Sequence, residues 1–325
     1  MLFDKLMHPE VARRLKAAEA LAAYVGDQRH LPEEMEPHPA EVIAWAMAKP
    51  KAEKAVCLGG AKALAIMGPH AAKYASKSLA LNCKNEDMEI RWEVVTAIRC
   101  LGPGAAADAS EALACVVAPE GSEWDVSTAL MRFEAAKALE ALGPGAAEGA
   151  AAALARATVD EDGDVRRASV KALGAMGSSA AEAGAQALVT AFTTGSFEVR
   201  RLAVVALARM GEGAAAVAAA SLARQLRPDP GSDAFLRQEA AVSLEAMGPE
   251  AVRTHEVALS RVVHDQDALV RENARSALAS AGCELALKGS MAFLDRDFPE
   301  PEPPAPPPAA PAIDVAAEEA AAPDE

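Results

Sequence analysis

The chain has 325 residues, of which 51% are hydrophobic but only 4% are aromatic, and it carries a net charge of −15. Alanine supplies most of the apolar content, and its high helix propensity predicts an all-α protein. Residues 299–325 hold seven carboxylates and no lysine or arginine, which leaves a charge of −8 for the rest of the chain. An acidic body repels a phosphate backbone, so nucleic acid is not the expected partner.

Residues 1–53 do not follow the pattern found further along the chain, and we expect them to form atypical N-terminal capping helices and a loop. One helix is predicted over residues 7–25, and another begins near Ala40 and contains Trp45. The N-terminus has no apolar signal core. The longest apolar stretch, Ala214–Ala223, is too short to span a bilayer, so we expect a cytoplasmic protein without membrane insertion.

A glycine that follows a helical pattern recurs throughout residues 54–282. The spacings between successive glycines are 34, 41, 34, 34, 37 and 34 residues, so four of the six are identical. These glycines are Gly68, Gly102, Gly143, Gly177, Gly211, Gly248 and Gly282. A repeat of this length is one supersecondary unit, which buries its apolar face only by stacking on its neighbours.

The sequence pattern of each repeat predicts two antiparallel helices, called A and B. Helix B starts after an N-capping residue, carries an arginine four residues after the cap, and ends at the glycine, which suits a left-handed position after a helix. The alanine-rich helix A follows the glycine. The predicted caps are Asp87, Thr128, Asp162, Ser196, Asp233 and Asp267, and the arginines are Arg91, Arg132, Arg166, Arg200, Arg237 and Arg271. An arginine that recurs in six repeats indicates a ladder between neighbouring repeats, with partners in the loop before helix B.

The pattern resembles the HEAT-like repeats named from the phycobilisome lyases. The likeness is carried by Asp162-Gly163-Asp164-Val165-Arg166 and by Ala172-Leu173-Gly174-Ala175-Met176-Gly177. The resemblance implies a right-handed α-solenoid of about seven to eight helical hairpins. It leaves the function open, because one fold serves many purposes.

Two further segments follow the repeats. Residues 283–298 predict a C-terminal capping helix, because the end of an open stack needs an atypical unit. Residues 299–325 contain nine of the 21 prolines in addition to the seven carboxylates, and we expect a disordered acidic tail there.

The cysteines indicate a reducing environment, because their number is odd and they form no CxxC pair. They are Cys57, Cys83, Cys100, Cys115 and Cys283. We expect them to act as small buried hydrophobic groups, and we assign Cys100 to packing and not to a reactive role.

No set of residues predicts catalysis. Deoxyhypusine hydroxylase, built on a similar repeat, binds its metals through His-Glu pairs just after the helix B arginine. The corresponding pairs here are Trp92-Glu93, Phe133-Glu134 and Gln238-Glu239. None of the first residues replaces an imidazole as an iron ligand, so we expect no metal, no cofactor and no enzyme. The resemblance implies one alternative, a bilin lyase-like protein or another HEAT-repeat accessory subunit of an enzyme.

The resemblance also implies that the B helices line a concave surface where a protein partner binds. The candidate partner-binding residues are Trp92, Phe133, Lys137, Arg167, Lys171, Arg201 and Gln238. Tryptophan and arginine are enriched at binding hot spots. We expect apolar anchors at the two aromatic residues and a cationic centre that binds an acidic peptide. The alternative is that the aromatic residues fill gaps between repeats.

Overall fold

The computed structural model describes Ala20 and residues 38–49, 52–119, 128–227 and 233–283. Apart from Ala20, the helix expected over residues 7–25 lies outside this part of the chain, as do the helix expected to continue to residue 298 and the acidic tail. The described residues form α-helices, 3-10 turns and loops, and none of them belongs to a β-strand. The prediction of an all-α protein is confirmed.

Fifteen α-helices follow one another along the described residues. They are α1 (Pro39–Met47), α2 (Lys54–Met67), α3 (Ala72–Asn82), α4 (Met88–Leu101), α5 (Ala106–Val117), α6 (Ala129–Leu142), α7 (Ala147–Ala157), α8 (Gly163–Met176), α9 (Ala181–Thr194), α10 (Phe197–Met210), α11 (Ala215–Gln225), α12 (Ala234–Ala246), α13 (Pro249–Thr254), α14 (Glu256–Arg261) and α15 (Ala268–Ser280). A four-residue 3-10 turn follows each of α2, α4, α6, α8 and α10.

The helices pack in two rows. The B row consists of α2, α4, α6, α8, α10, α12 and α15, each in contact with the next. The A row runs through α1, α3, α5, α7, α9, α11 and α14, and α13 precedes α14 in the last A position. Each A helix also contacts the B helix that follows it, so the described residues contain seven hairpins. This arrangement is the predicted α-solenoid, and its first described hairpin begins with α1.

The core lies between the rows and between successive repeats. The predicted column four residues before each glycine is fully buried, at Leu64, Ile98, Leu139, Leu173, Leu207, Leu244 and Leu278. Burying one such side chain stabilises the fold by about 1.5–3 kcal/mol. Alanines fill most of the remaining core positions, which lets the helices approach closely.

The N-caps fix where the B helices begin. The carboxylate of Asp162, for example, accepts hydrogen bonds from the backbone N–H groups of Asp164 and Val165 at 2.8 and 3.1 Å. Five of the six predicted caps make such a bond, namely Asp87, Thr128, Asp162, Asp233 and Asp267. Ser196 precedes α10 but its hydroxyl caps no amide. A cap bond of this kind contributes about 1 kcal/mol.

The recurring glycines turn the chain from the B row to the A row. All seven have a positive φ, between 57° and 95°. At Gly143, φ is 66° and ψ is −148°, so the residue is not in the expected left-handed helical conformation but in the mirror image of extended backbone. Only a residue without a Cβ enters this region readily. A 3-10 turn over Gly143–Ala146 follows, and α7 starts at the next residue.

By length and composition alone, three stretches could cross a membrane, whereas none was expected from the sequence. They are Lys54–Asn82, Met88–Val117 and Phe197–Gln225. Each of them is a B helix and an A helix joined by a glycine of positive φ. The longest single helix among them has 14 residues, or about 21 Å at 1.5 Å per residue. A bilayer core of about 30 Å needs roughly 20 helical residues, and about half of each stretch is already buried in the array.

Candidate partner-binding site

The arginine column belongs to the framework of the site. Arg132 donates through Nε and Nη2 to the carboxylate of Asp160 at 2.8 and 2.9 Å, and Arg237 makes the same bidentate contact with Asp265 at 2.8 and 3.0 Å. Both aspartates lie in the loop of the next repeat, two residues before the N-cap. Burial is the largest single effect and opposes their ionisation. The arginine hydrogen bond, a backbone N–H bond and the nearby arginine charges together outweigh it and hold the pKa of each carboxyl below its usual range. The expected ladder is confirmed at these two steps.

Other arginines of the column bind the loop that precedes their own helix. Arg166 donates through Nη1 to the carbonyls of Asp160 and Glu161 at 2.6 and 3.0 Å. Arg91 and Arg271 make the equivalent pair of bonds. The column therefore holds the loops in place, and the candidate binding residues occupy the neighbouring positions of the same helices.

The two aromatic candidates lie on adjacent B helices. Trp92 on α4 and Phe133 on α6 are half-buried and pack against the core. Lys137 lies over the Phe133 ring, with Nζ 4.9 Å from the ring centroid, and its Nζ is 3.0 Å from Glu134 Oε1. Both aromatic rings thus combine an exposed part with a buried one, which fits a binding anchor and a packing role equally well.

Arg167 already has two carboxylate partners. It pairs with Asp164 on its own helix, and its Nη1 lies 3.2 Å from Glu198 Oε2 on α10. The second contact crosses from one repeat to the next. A ligand carboxylate at this position would compete with two existing ion pairs.

Arg201 is held between two phenylalanine rings. Its guanidinium carbon lies 3.9 Å from the Phe235 centroid on α12 and 5.6 Å from the Phe197 centroid on its own helix. Stacking on an aromatic ring fixes the plane of a guanidinium while its N–H groups stay available for hydrogen bonds. Arg201 therefore contributes both to the contact between repeats and to a preorganised donor.

The remaining candidates are simpler. Lys171 on α8 is exposed and forms no ion pair within the described part of the chain. Gln238 on α12 is half-buried. The structure thus brings all seven candidates onto one row of helices, but of the three expected cations at its centre only Lys171 is without a protein partner among the described residues.

Glu239 was considered at the sequence level only as the remnant of a metal ligand, yet it is the most unusual carboxylate on the row. Burial raises its pKa above the ordinary value, and the positive charge of Arg201 opposes that effect. The two side chains form no ion pair within 4 Å. The sequence signal that identifies Glu239 is its position. It lies two residues after Arg237, and the preceding B helix has Val205 where α8 has Lys171.

The cysteines and the possible metal ligands were also candidates for a chemical role. Cys57, Cys83 and Cys283 are buried as expected and Cys115 is half-buried, whereas Cys100 is exposed and the expectation of burial is wrong there. Burial raises the pKa of the Cys83 thiol to about 12. Within residues 38–49, 52–119, 128–227 and 233–283, no three His, Cys, Asp or Glu side chains are grouped as metal ligands.

A family model for HEAT repeats matches residues 127–208 and 150–245 of the chain. No curated protein sequence matches this chain. A solved structure concerned with the phosphorylation switch that controls the interaction between cadherin and β-catenin is 14% identical, with a TM-score of 0.51. The match covers 89% of this chain and 61% of that one.

A designed armadillo repeat protein is 16% identical, with a TM-score of 0.37 over 86% of this chain and 98% of its own. A second designed armadillo repeat protein, solved in complex with the peptide (KR)4, is 17% identical, with a TM-score of 0.36 over the same share of each chain. The repeats matched by the family model coincide with hairpins of the two-row array. Residues 127–245 are therefore similar to HEAT repeats, and they lie within an α-solenoid built from the described helical hairpins.

Proposed function

We propose that this protein is a non-catalytic scaffold or adaptor that binds a protein partner along the B row. The observation that carries the proposal is the column one residue after the arginine, which holds Trp92, Phe133, Arg167, Arg201 and Gln238 on five successive helices. Each side chain is at least partly exposed, so an elongated ligand along the row would meet all of them. Solenoids use such continuous surfaces for binding.

The kind of ligand follows from these side chains. Aromatic rings at α4 and α6 suit apolar anchors, and cationic groups at α8 and α10 suit carboxylates, so an extended or helical peptide with acidic residues fits. The similar fold in the cadherin and β-catenin structure also serves an interaction between proteins. The buried thiols of Cys57 and Cys83 are consistent with a reducing, cytoplasmic setting.

The test compares proteins captured from native cells by the wild type and by a Trp92→Ala/Arg167→Glu/Arg201→Glu variant. We expect the variant to lose partners that the wild type retains, because it removes one anchor and reverses two charges. Its helical circular dichroism should remain that of the wild type, since none of the three side chains is fully buried.

The matched control is Trp45→Ala/Lys77→Glu/Arg156→Glu, which makes the same chemical changes at exposed positions of α1, α3 and α7 in the A row. This control should keep every partner. If the B-row variant is folded and also keeps every partner, the B row is not the binding surface.

A further inference from the structure

At the first two steps of the B row, a glutamate in one fixed position forms an ion pair with a cation of the preceding helix. Lys62 Nζ on α2 lies 3.6 Å from Glu93 Oε1 on α4, and Arg99 Nε on α4 lies 3.9 Å from Glu134 Oε2 on α6. In both cases the carboxylate is two residues after the column arginine. The cation is five residues after the column position on α2 and eight residues after it on α4. Each step therefore neutralises a cation of one repeat with a glutamate of the next.

The register fails at the next two steps because the glutamate is missing. The position two residues after the arginine is Ala168 on α8 and Leu202 on α10. Lys137 turns instead to Glu134 on its own helix, at 3.0 Å. Lys171 meets Leu202 where the next helix would carry this glutamate, and it remains exposed without an ion pair among the described residues.

At the following step the glutamate is present but the cation is missing. Glu239 on α12 occupies the recurring carboxylate position. The residues of α10 that correspond to Lys62 and to Arg99 are Val205 and Ala208, so neither is a cation. Arg201 on α10 stacks on Phe235 at 3.9 Å and forms no ion pair with Glu239. Glu239 is half-buried, so its carboxylate lies in a partly desolvated position, where Arg201 acts on it only from beyond ion-pair distance.

The result is a bipolar surface that spans α8, α10 and α12. Lys171 is at one end, Glu239 is at the other, and the half-buried apolar side chains of Leu202 and Val205 lie on the helix between them. Neighbouring helices pack about 8–10 Å apart, so two steps separate the charges by roughly 16–20 Å. An extended peptide advances about 3.3 Å per residue and covers this distance in about five or six residues.

We propose that the ligand of this surface is an extended bipolar segment, with a carboxylate that pairs with Lys171 and a lysine or arginine about five or six residues away that pairs with Glu239. The residues between them are apolar where they cover Leu202 and Val205. This inference rests on the proposed function and specifies its ligand. It differs from a purely acidic peptide, because Glu239 would repel a second carboxylate.

The test is a selection of random ten-residue peptides displayed on phage, carried out on the full chain. We expect enriched sequences to combine an acidic residue with a basic one at a separation of five or six. The decisive variant is the double charge reversal Lys171→Glu/Glu239→Lys, which exchanges the two ends. It should enrich the same pair of charges in the opposite order along the peptide, a change that a general loss of stability would not produce.

Binding constants of the best peptide give a second measure. Either single substitution, Lys171→Glu or Glu239→Lys, should weaken binding about tenfold, and the double variant should regain affinity for the peptide with exchanged charges. The control Lys77→Glu/Glu182→Lys, at exposed positions of the A row, should change neither the enriched sequences nor the affinity.

Enrichment of peptides without the charge pair, or a motif whose order is unaffected by the double reversal, overturns this inference while the proposed function stands. The absence of any enriched peptide also overturns it. In both cases the capture of native partners by the wild type and by the Trp92 variant decides the proposed function separately.

Discussion

Replacing Gly143 by alanine isolates the backbone strain at the turn from the B row to the A row. An added Cβ would have no neighbour within 4 Å, so the substitution creates no steric contact. Its φ of 66° with a ψ of −148° is a region that alanine rarely enters. Such strain costs about 1–3 kcal/mol, partly offset by about 0.4–1 kcal/mol from the reduced freedom of the unfolded chain. We therefore expect a net loss of about 1–2 kcal/mol.

Two further glycines calibrate this value. Gly163 begins α8 without a positive φ, and its added Cβ would make ordinary contacts at 3.5 and 3.6 Å, so Gly163→Ala should stabilise by about 0.5 kcal/mol. Gly211 has a φ of 57° and would also bring a Cβ to 3.2 Å from the Ala246 carbonyl oxygen, so its replacement should cost more than that of Gly143.

The assay is urea unfolding followed by circular dichroism at 222 nm, with free energies compared at a common m value. The expected order of stability is Gly163→Ala, wild type, Gly143→Ala and then Gly211→Ala. A Gly143→Ala protein within about 0.5 kcal/mol of the wild type would refute the argument that the backbone conformation requires glycine there.

Three other measurements test the description of the fold. Asp265→Ala should cost about 3–5 kcal/mol in urea unfolding because it strands a buried guanidinium, whereas Asp160→Ala should cost only about 1–2 kcal/mol because that pair is more exposed; equal losses would contradict the role of burial. Because the pKa of Glu239 is raised in the folded protein, the free energy of unfolding should fall as the pH rises above 4.5. Glu239→Gln should therefore be more stable than the wild type at pH 7 and as stable as the wild type near pH 3. The opposite trend would show that the charge of Glu239 is well compensated. Iodoacetamide at pH 8 should modify exposed Cys100 and leave Cys83 unmodified in a mass spectrum of the native protein, and rapid labelling of Cys83 would show that its thiol is accessible.

The periodic features of the sequence predicted most of the fold, because each depends on local chemistry. The recurring glycine determines the backbone conformation of its own turn, and the aspartate before a B helix binds amides only two or three residues further on. The described turns and caps therefore lie where they were expected. Ser196 is the exception. A serine hydroxyl can form hydrogen bonds in several local backbone conformations, and in this loop the Ser196 hydroxyl accepts no hydrogen bond from an amide of α10.

The exposure of Cys100 follows from the helical periodicity of the sequence. Nine residues after Arg91 correspond to about half a turn around an α-helix at 100° per residue. Arg91 is buried, so Cys100 on the opposite side of α4 faces solvent. The periodicity that defined the repeat also predicted this outcome.

Contacts between repeats could not be predicted in the same way. Arg167 and Arg201 occupy one column, yet the first pairs with Glu198 and the second stacks on Phe235. Which side chain faces which depends on the offset between neighbouring B helices, and that offset is set by packing over the whole repeat. For the same reason, the isolation of Glu239 became visible only when the neighbours on α10 were known.

The arginine bonds also divide the array by the strength of its internal joints. Arg132 and Arg237 each clamp the loop of the following repeat with two charged hydrogen bonds, while Arg166 donates only to the loop before its own helix. Under tension along the array, the joint between α6 and α8 and the joint between α12 and α15 should consequently be the last to stretch. At the joint between α8 and α10, next to Lys171, the ion pair of Arg167 with Glu198 is the charged contact that opposes such stretching.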